Sequence, residues 1–206
     1  MRGFETYDGG MAISRLPQPV HPNVEVTAAP EDLEPLRSFL YLHDHVAGDR
    51  TSLPPDADSL RWWLRTHGHL AHDEEISDEE AAWALTVRAA LVAKVRGTSG
   101  PRHDEAAGVL NRAAERAGLR TCFGCEDDQP IHVDADGVAG AIGALLGAAF
   151  LAELDGRWER FRVCDDPTCS EVFYDRSRNR SGRWCSMATC GNRNKVRTFR
   201  ARHATA

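Results

Sequence analysis

Four cysteines near the end of this 206-residue chain fall as Cys164-x4-Cys169 and Cys185-x4-Cys190, with fifteen residues between the pairs. No other feature limits the fold so much. Two short-range pairs bring four soft donors together at low ordering cost, and they suit a tetrahedral zinc with Zn–S near about 2.3 Å. Buried thiols without metal are the bland alternative, which the doubled spacing disfavours. Four thiolates also close the coordination sphere, whereas a catalytic zinc keeps a position for water, so a zinc enzyme is not expected. Elsewhere the chain offers no recognisable nucleophile and base pair, and no enzyme is expected there either.

The spacer between the pairs reads as a hairpin. Glu171-Val172-Phe173-Tyr174 goes out, Asn179-Arg180-Ser181-Gly182 turns, and Arg183-Trp184 returns, so that Phe173 and Trp184 cover the metal. Five positions at about 100° each would set the second pair of sulfurs about 140° apart on one helix. The chain must therefore turn between Cys185 and Cys190, with a helix running from near Cys190 to His203. On it Val196, Phe199 and His203 form one stripe, expected to be buried, and Arg193, Arg197 and Arg200 form a cationic one. Knuckle, hairpin and ligand-bearing helix make a treble-clef-like arrangement.

Charge divides the chain in the same place. Residues 157–206 hold 12 Lys+Arg against 5 Asp+Glu, a net of +7, while residues 1–156 hold 13 against 26, a net of −13. An acidic body with a basic end is the pattern of a chain whose end meets a polyanion. Nine cations, Arg176, Arg178, Arg180, Arg183, Arg193, Lys195, Arg197, Arg200 and Arg202, with Tyr174 and Trp184 among them, suit a nucleic-acid surface. A solvated basic surface and a protein-binding platform remain the alternatives.

The body is expected to be helical. After a Pro-rich, irregular leader over 1–30, apolar Leu33, Leu36, Phe39, Leu40 and Leu42 recur at helical spacing until Gly48 and Pro54-Pro55. Asp58 or Ser59 can cap a short helix through Trp62 and Trp63 that stops near Gly68. Ser77-Asp78-Glu79-Glu80 is a capping box opening a long helix that Gly97 to Pro101 breaks. Residues 104–117 form another, closed by Gly118. Thr121-Cys122-Phe123 and Ile131-His132-Val133 are expected to pair as a small hairpin. Residues 137–154, rich in Gly and Ala, return to helix, with Gly143 and Gly147 read as close intramolecular contacts. The uncharged run 138–152 is fifteen residues, short of the roughly 18 needed to span a bilayer, so a buried helix and no membrane partner are expected. The opening residues lack the pattern of a secretory signal, which points to the cytoplasm and to cysteines that bind metal rather than pair.

Three weaker constellations have plainer readings. Cys122-x2-Cys125 is half a metal site with no second half, better read as a structural or redox-exposed pair. His43, His45, His67, His69 and His72 do not converge within any one helix. The run Asp73, Glu74, Glu75, Asp78, Glu79 and Glu80 is a solvated helix start favoured by the dipole.

The stretch Phe173-Tyr174-Asp175-Arg176-Ser177-Arg178-Asn179, followed by Trp184-Cys185-Ser186-Met187-Ala188 and Cys190-Gly191-Asn192-Arg193, resembles the CGNR zinc-finger family. Its members carry an amino-terminal helical domain called ABATE and are regarded as stress-induced transcription regulators. Arg37-Ser38-Phe39-Leu40 resembles that domain's opening helix, although Tyr41-Leu42 stands where the family has Asn-Thr. The resemblance implies zinc on Cys164, Cys169, Cys185 and Cys190, DNA as partner, and a sensory role for the body. It names no effector, and a small-molecule ligand or a homodimer stays open. Gly191 fits a crowded backbone position beside the metal, and Asn192 can cap the helix.

The expected fold is mainly α. An ABATE-like helical domain with a small β-hairpin occupies 31–156, and a treble-clef-like zinc finger occupies 157–206. The expected function is a zinc-binding, DNA-binding regulator, the alternative being a zinc-stabilised protein-interaction adaptor.

Overall fold

A computed structural model describes residues 28–42, 55–97, 100–123, 129–169 and 171–203. Among the described residues five α-helices form the body: α1 (Glu34–Leu40), α2 (Ala57–Thr66), α3 (Asp78–Val95), α4 (Pro101–Arg116) and α5 (Gly137–Leu154). Between α4 and α5 lies an antiparallel pair, β1 (Leu119–Thr121) and β2 (Ile131–Val133). A second antiparallel pair, β3 (Phe161–Val163) and β4 (Val172–Tyr174), leads to a single π-helical turn (Met187–Gly191) and to α6 (Asn192–His203). The expected mainly helical class with small hairpins is the one observed.

Local chemistry sets most helix starts. Ser77 and Glu80 form the reciprocal capping box at the head of α3: Ser77 N donates to Glu80 Oε2 at 2.9 Å, and Glu80 N to Ser77 Oγ at 3.2 Å. At α2 the cap is Asp56, not Asp58 or Ser59; its carboxylate accepts from Ser59 N at 2.9 Å and from Ser59 Oγ at 2.7 Å. Ser59 thus supplies the donors rather than the cap. Helix α4 starts at Pro101, three residues before the expected Asp104, because proline at a first helical position sacrifices no helical hydrogen bond. Gly118, at φ +62°, ends it as expected. The first helix stops at Leu40; His43, His45 and Gly48 lie outside the described residues, as do the leader to residue 27 and Cys125.

The first hairpin begins earlier than its β-prone residues suggest, with Leu119 opposite Val133 and Thr121 opposite Ile131. Phe123 is left fully exposed. Packing against α5 decides this register. A Cβ on Gly143 would come within 2.6 Å of Val133 Cγ1 and 2.8 Å of Ala117 Cβ, and one on Gly147 within 3.0 Å of Ile131 Cγ2. Both glycines are therefore contact points for the hairpin within the chain. Helix α5 is long and apolar enough by composition to cross a membrane, but Val138, Ala141, Ile142, Leu145 and Ala149 are packed in the protein core. Cys122 is disulfide-bonded, against the expectation of reduced thiols.

One core joins Leu36, Phe39, Leu40, Trp63, Leu64, Leu91 and Ile142 to Phe161, Val172 and Tyr174. Strand alternation explains how β4 serves two cores: Val172 and Tyr174 face the helices, while Phe173 between them packs with the cysteines. The helical body and the first cysteine pair therefore share a sheet.

Candidate metal centre

The sulfurs of Cys164, Cys169, Cys185 and Cys190 lie within 4.8 Å of one another. Cys169 Sγ is 3.5 Å from Cys185 Sγ, and Cys185 Sγ is 3.7 Å from Cys190 Sγ. A tetrahedron with Zn–S near 2.3 Å has edges of about 3.8 Å, so the spacing fits such an ion. Cys164, Cys185 and Cys190 are buried, Cys169 partly so, with Phe173 and Trp184 packed beside them as expected. Hydrogen bonds from Cys169 and Cys185 push the Cys164 thiol well below the usual thiol range, while sharing with Cys164 pushes those two thiols up. Four sulfurs at this spacing cannot all ionise without a cation between them. The donor set fits a metal with four thiolate ligands and no open position.

The first pair sits on a knuckle closed by the β3–β4 pair, where Cys164 N donates to Glu171 O at 2.8 Å and Cys169 N to Asp166 O at 2.9 Å. The hairpin therefore folds around the first cysteine pair, with Phe161 opposite Tyr174 and Val163 opposite Val172. Arg183-Trp184, expected as the returning strand, is not one. Tyr174 is followed by a loop organised on Asp175, which is buried and accepts from Ser177 N at 2.9 Å and Gly182 N at 2.8 Å. Those bonds turn the chain before it can pair with β4, and among the described residues one backbone bond, Asp165 N to Arg183 O at 2.9 Å, joins the two cysteine segments.

The second pair uses a tight turn. Ser186 caps it by accepting from Thr189 N at 3.2 Å, and Gly191 N donates to Ser186 O at 3.0 Å. A Cβ on Gly191 would meet Met187 Cε and Sδ at 3.1 Å and Trp184 Cδ1 at 3.3 Å, so the crowding expected there comes from these side chains. Asn192 is already helical, and its Nδ2 donates to Ala188 O at 3.0 Å instead of capping α6. Helix α6 buries no residue, so its apolar stripe is no buried face: Val196 is 49% exposed and Phe199 62%, with His203 stacked on Phe199 at 4.1 Å. The expectation failed because period alone gives a stripe, not a partner to cover it.

The nine cations divide into groups. Arg193 and Arg197 reach the fully buried Asp166 at 3.0 and 3.7 Å. Arg180 pairs with Glu159, and Arg183 with Asp165 at 2.7 Å while lying over the Trp184 ring. The side chains of Arg176, Arg178, Lys195 and Arg200 are exposed and hold no hydrogen bond or ion pair among the described residues. Arg202 is also exposed. The expected stripe of Arg193, Arg197 and Arg200 is thus divided, since two of its members pair with Asp166 while Arg200 does not.

Sequence reasoning missed Asp166, although Asp166-Pro167-Thr168 has the pattern of an Asx turn. Its Oδ1 accepts from Thr168 N at 3.1 Å and from Thr168 Oγ1 at 2.9 Å. Burial works against its charge, but Thr168 together with Arg193 and Arg197 holds the carboxyl below the usual range. It also missed Glu171, whose carboxyl burial pushes up to about 7 against the pull of Arg88 and whose signal in the sequence is nil. Tyr41, at the position that departs from the family pattern, lies against the same region, its hydroxyl pushed up by burial and by Glu171.

Among the histidines, His67 and His69 both stack on Trp63, at 4.3 and 5.6 Å. Ser38 Oγ accepts from Trp63 Nε1 at 2.9 Å and lies 3.1 Å from His67 Nε2, which ties α1 to α2. His72 is exposed, and no metal cluster other than the four cysteines occurs among the described residues.

No curated protein matches the chain. The stretch from 160 to 203, which carries β3, β4, both cysteine pairs and all of α6, matches the family model described as CGNR zinc finger.

Proposed function

We propose that the chain is a zinc-dependent DNA-binding regulator acting in the cytoplasm. Zinc on the four cysteines would fix the C-terminal segment, and Arg176, Arg178, Lys195 and Arg200 would meet the phosphates. The observation that supports this reading is the set of exposed cations whose side chains have no partner among the described residues, carried on the segment of the clustered cysteines, which has net charge +7 beside a body of −13. In the same reading the helical body senses a small molecule or dimerises, in keeping with the family's ABATE domain and its stress-response role. Catalysis has no part in it.

Phosphate contacts release counterions, so each lost contact lowers the slope of log K against log salt by about 0.9. Titrating the zinc-loaded full chain with duplex DNA at several salt concentrations tests the proposal. The fourfold variant at Arg176, Arg178, Lys195 and Arg200 is expected to lose most of that slope. Binding that is absent, or indifferent to salt in the wild type, would sink it.

A second reading rests on Val196, Phe199 and Met187, large apolar side chains exposed on and beside α6. They suit a protein partner, with the metal segment as a platform. Capture of a partner that survives nuclease but ends when metal is stripped would favour that adaptor role.

A further inference from the structure

The Arg193 guanidinium makes two hydrogen bonds and one ion pair within the chain. Nη1 donates to Thr168 Oγ1 at 3.0 Å and Nη2 to Cys190 Sγ at 3.3 Å, while Nε lies 3.0 Å from Asp166 Oδ2 as an ion pair without hydrogen-bond geometry. Asp166 and Thr168 belong to the knuckle between Cys164 and Cys169, whereas Cys190 and Arg193 belong to the turn and helix of the second pair. One side chain therefore bridges the two halves of the cage, and it does so with a planar fork that lysine cannot reproduce. Asp166 is fully buried and is itself fixed by Thr168 N and Oγ1, so the acceptor that aims Arg193 is rigid.

The charge balance gives this bridge a purpose. Zinc with four thiolates carries a net −2, and the buried Asp166 beside it adds another negative charge. Arg193, with Arg197 at 3.7 Å from Asp166, offsets part of that excess. A hydrogen bond donated to a metal-bound sulfur also withdraws electron density from it, which lowers its tendency to leave the metal or attack an electrophile.

We propose that Arg193 is a positioning residue of the metal centre: aimed by Asp166 and Thr168, it clamps the Cys190 thiolate, slows metal loss and shields that sulfur. In this assignment the arginine of Cys190-Gly191-Asn192-Arg193 faces the metal, and not a nucleic acid. The inference rests on the zinc reading above.

The test uses the zinc-loaded full chain with Arg193→Met, Arg193→Lys, Asp166→Asn and, as a control, Arg200→Met. Zinc release to excess pyridylazoresorcinol is expected to quicken about 10- to 100-fold in Arg193→Met, the range typical of lost outer partners, and less in Arg193→Lys. Arg200→Met should release at the wild-type rate. Site-resolved alkylation by iodoacetamide supplies a readout that general loosening would not give: Cys190 should become the first of the four cysteines to react. Arg193→Lys keeps the helix and the charge, so the comparison survives if Arg193→Met does not fold. Wild-type release rates and an unchanged order of alkylation in both Arg193 variants would overturn the proposal. A wild-type chain that retains no zinc would overturn the zinc reading and this inference with it.

Discussion

Arg88 of α3 donates from Nη2 to the carbonyl of Leu40, the last residue of α1, at 2.7 Å, and from Nε to Phe39 O at 3.0 Å. The same guanidinium lies beside Glu171, two residues after the ligand Cys169. One half-buried arginine thus closes the C-terminus of α1 and balances a carboxyl on the cysteine hairpin. Burial pulls the Arg88 guanidinium down to about 10 even so. Replacing it with Met should destabilise the protein by about 2–4 kcal/mol, since two carbonyls lose their donor and the half-buried Glu171 carboxyl loses a neighbouring positive charge. Urea unfolding measures this, and Arg88→Met combined with Glu171→Gln should recover part of the loss. A midpoint unchanged in Arg88→Met would contradict the assignment.

His69 gives the body a pH response. Burial, with some repulsion from His67, pushes its imidazole down to about 4. A folded value below the unfolded one of about 6.5 means that the folded state resists protonation, so the associated stability is present above pH 6.5 and is lost as pH falls toward 4. That loss amounts to roughly 2–3 kcal/mol by pH 4.5. His69→Phe, which keeps a ring against Trp63, should be less sensitive to acid than the wild type. Equal shifts of the urea midpoint between pH 7 and 4.5 in both proteins would refute this.

The glycine face of α5 predicts unequal effects of the same substitution. Alanine at Gly143 gains about 0.8–1 kcal/mol in helix propensity, but overpacking of this kind typically costs about 1–3 kcal/mol. Its Cβ would press on Val133 and Ala117 at 2.6 and 2.8 Å, whereas at Gly147 the nearest atom is 3.0 Å away. Thermal unfolding should show Gly143→Ala below wild type by about 1 kcal/mol and Gly147→Ala near it. A stabilised Gly143→Ala would mean that the hairpin does not rest on α5 as described.

Stripping the metal should weaken the helices as well as the cysteine segment. Phe161, Val172 and Tyr174 belong to the core of the body, and their pairing closes the knuckle of Cys164 and Cys169. Metal affinity is folding free energy when the site forms only on folding, so chelation should lower the helix melting transition by at least about 10 °C. Circular dichroism at 222 nm reads the body directly. A transition that stays in place after chelation would show that the segment folds apart from it.

How much of this was legible beforehand differs element by element. Ser77 and Glu80 announce the start of α3 because a capping box is complete within four residues. The four cysteines announce a metal site because their spacing alone limits where the sulfurs can go. Residues 137–154 read correctly as a helix with contact glycines, since Gly and Ala in an apolar run allow little else. The strand partner of β4 could not be read. Residues 161–163 and 183–184 lie on either side of it, and the buried Asp175, with its bonds to Ser177 and Gly182, decides between them.

By itself the sequence determined the helical body, the cysteine cage and the charge division between them, because each follows from short-range spacing or from simple composition. Only the tertiary structure decided which arginines are held and which are open. Arg193 and Arg200 look alike along the chain and both lie on α6, but a buried carboxylate 27 residues before Arg193 draws it inward and leaves Arg200 at the surface. Covering of the Val196 and Phe199 stripe was likewise a tertiary matter, since hydrophobic period fixes which side chains share a face and says nothing of whether another element lies against it.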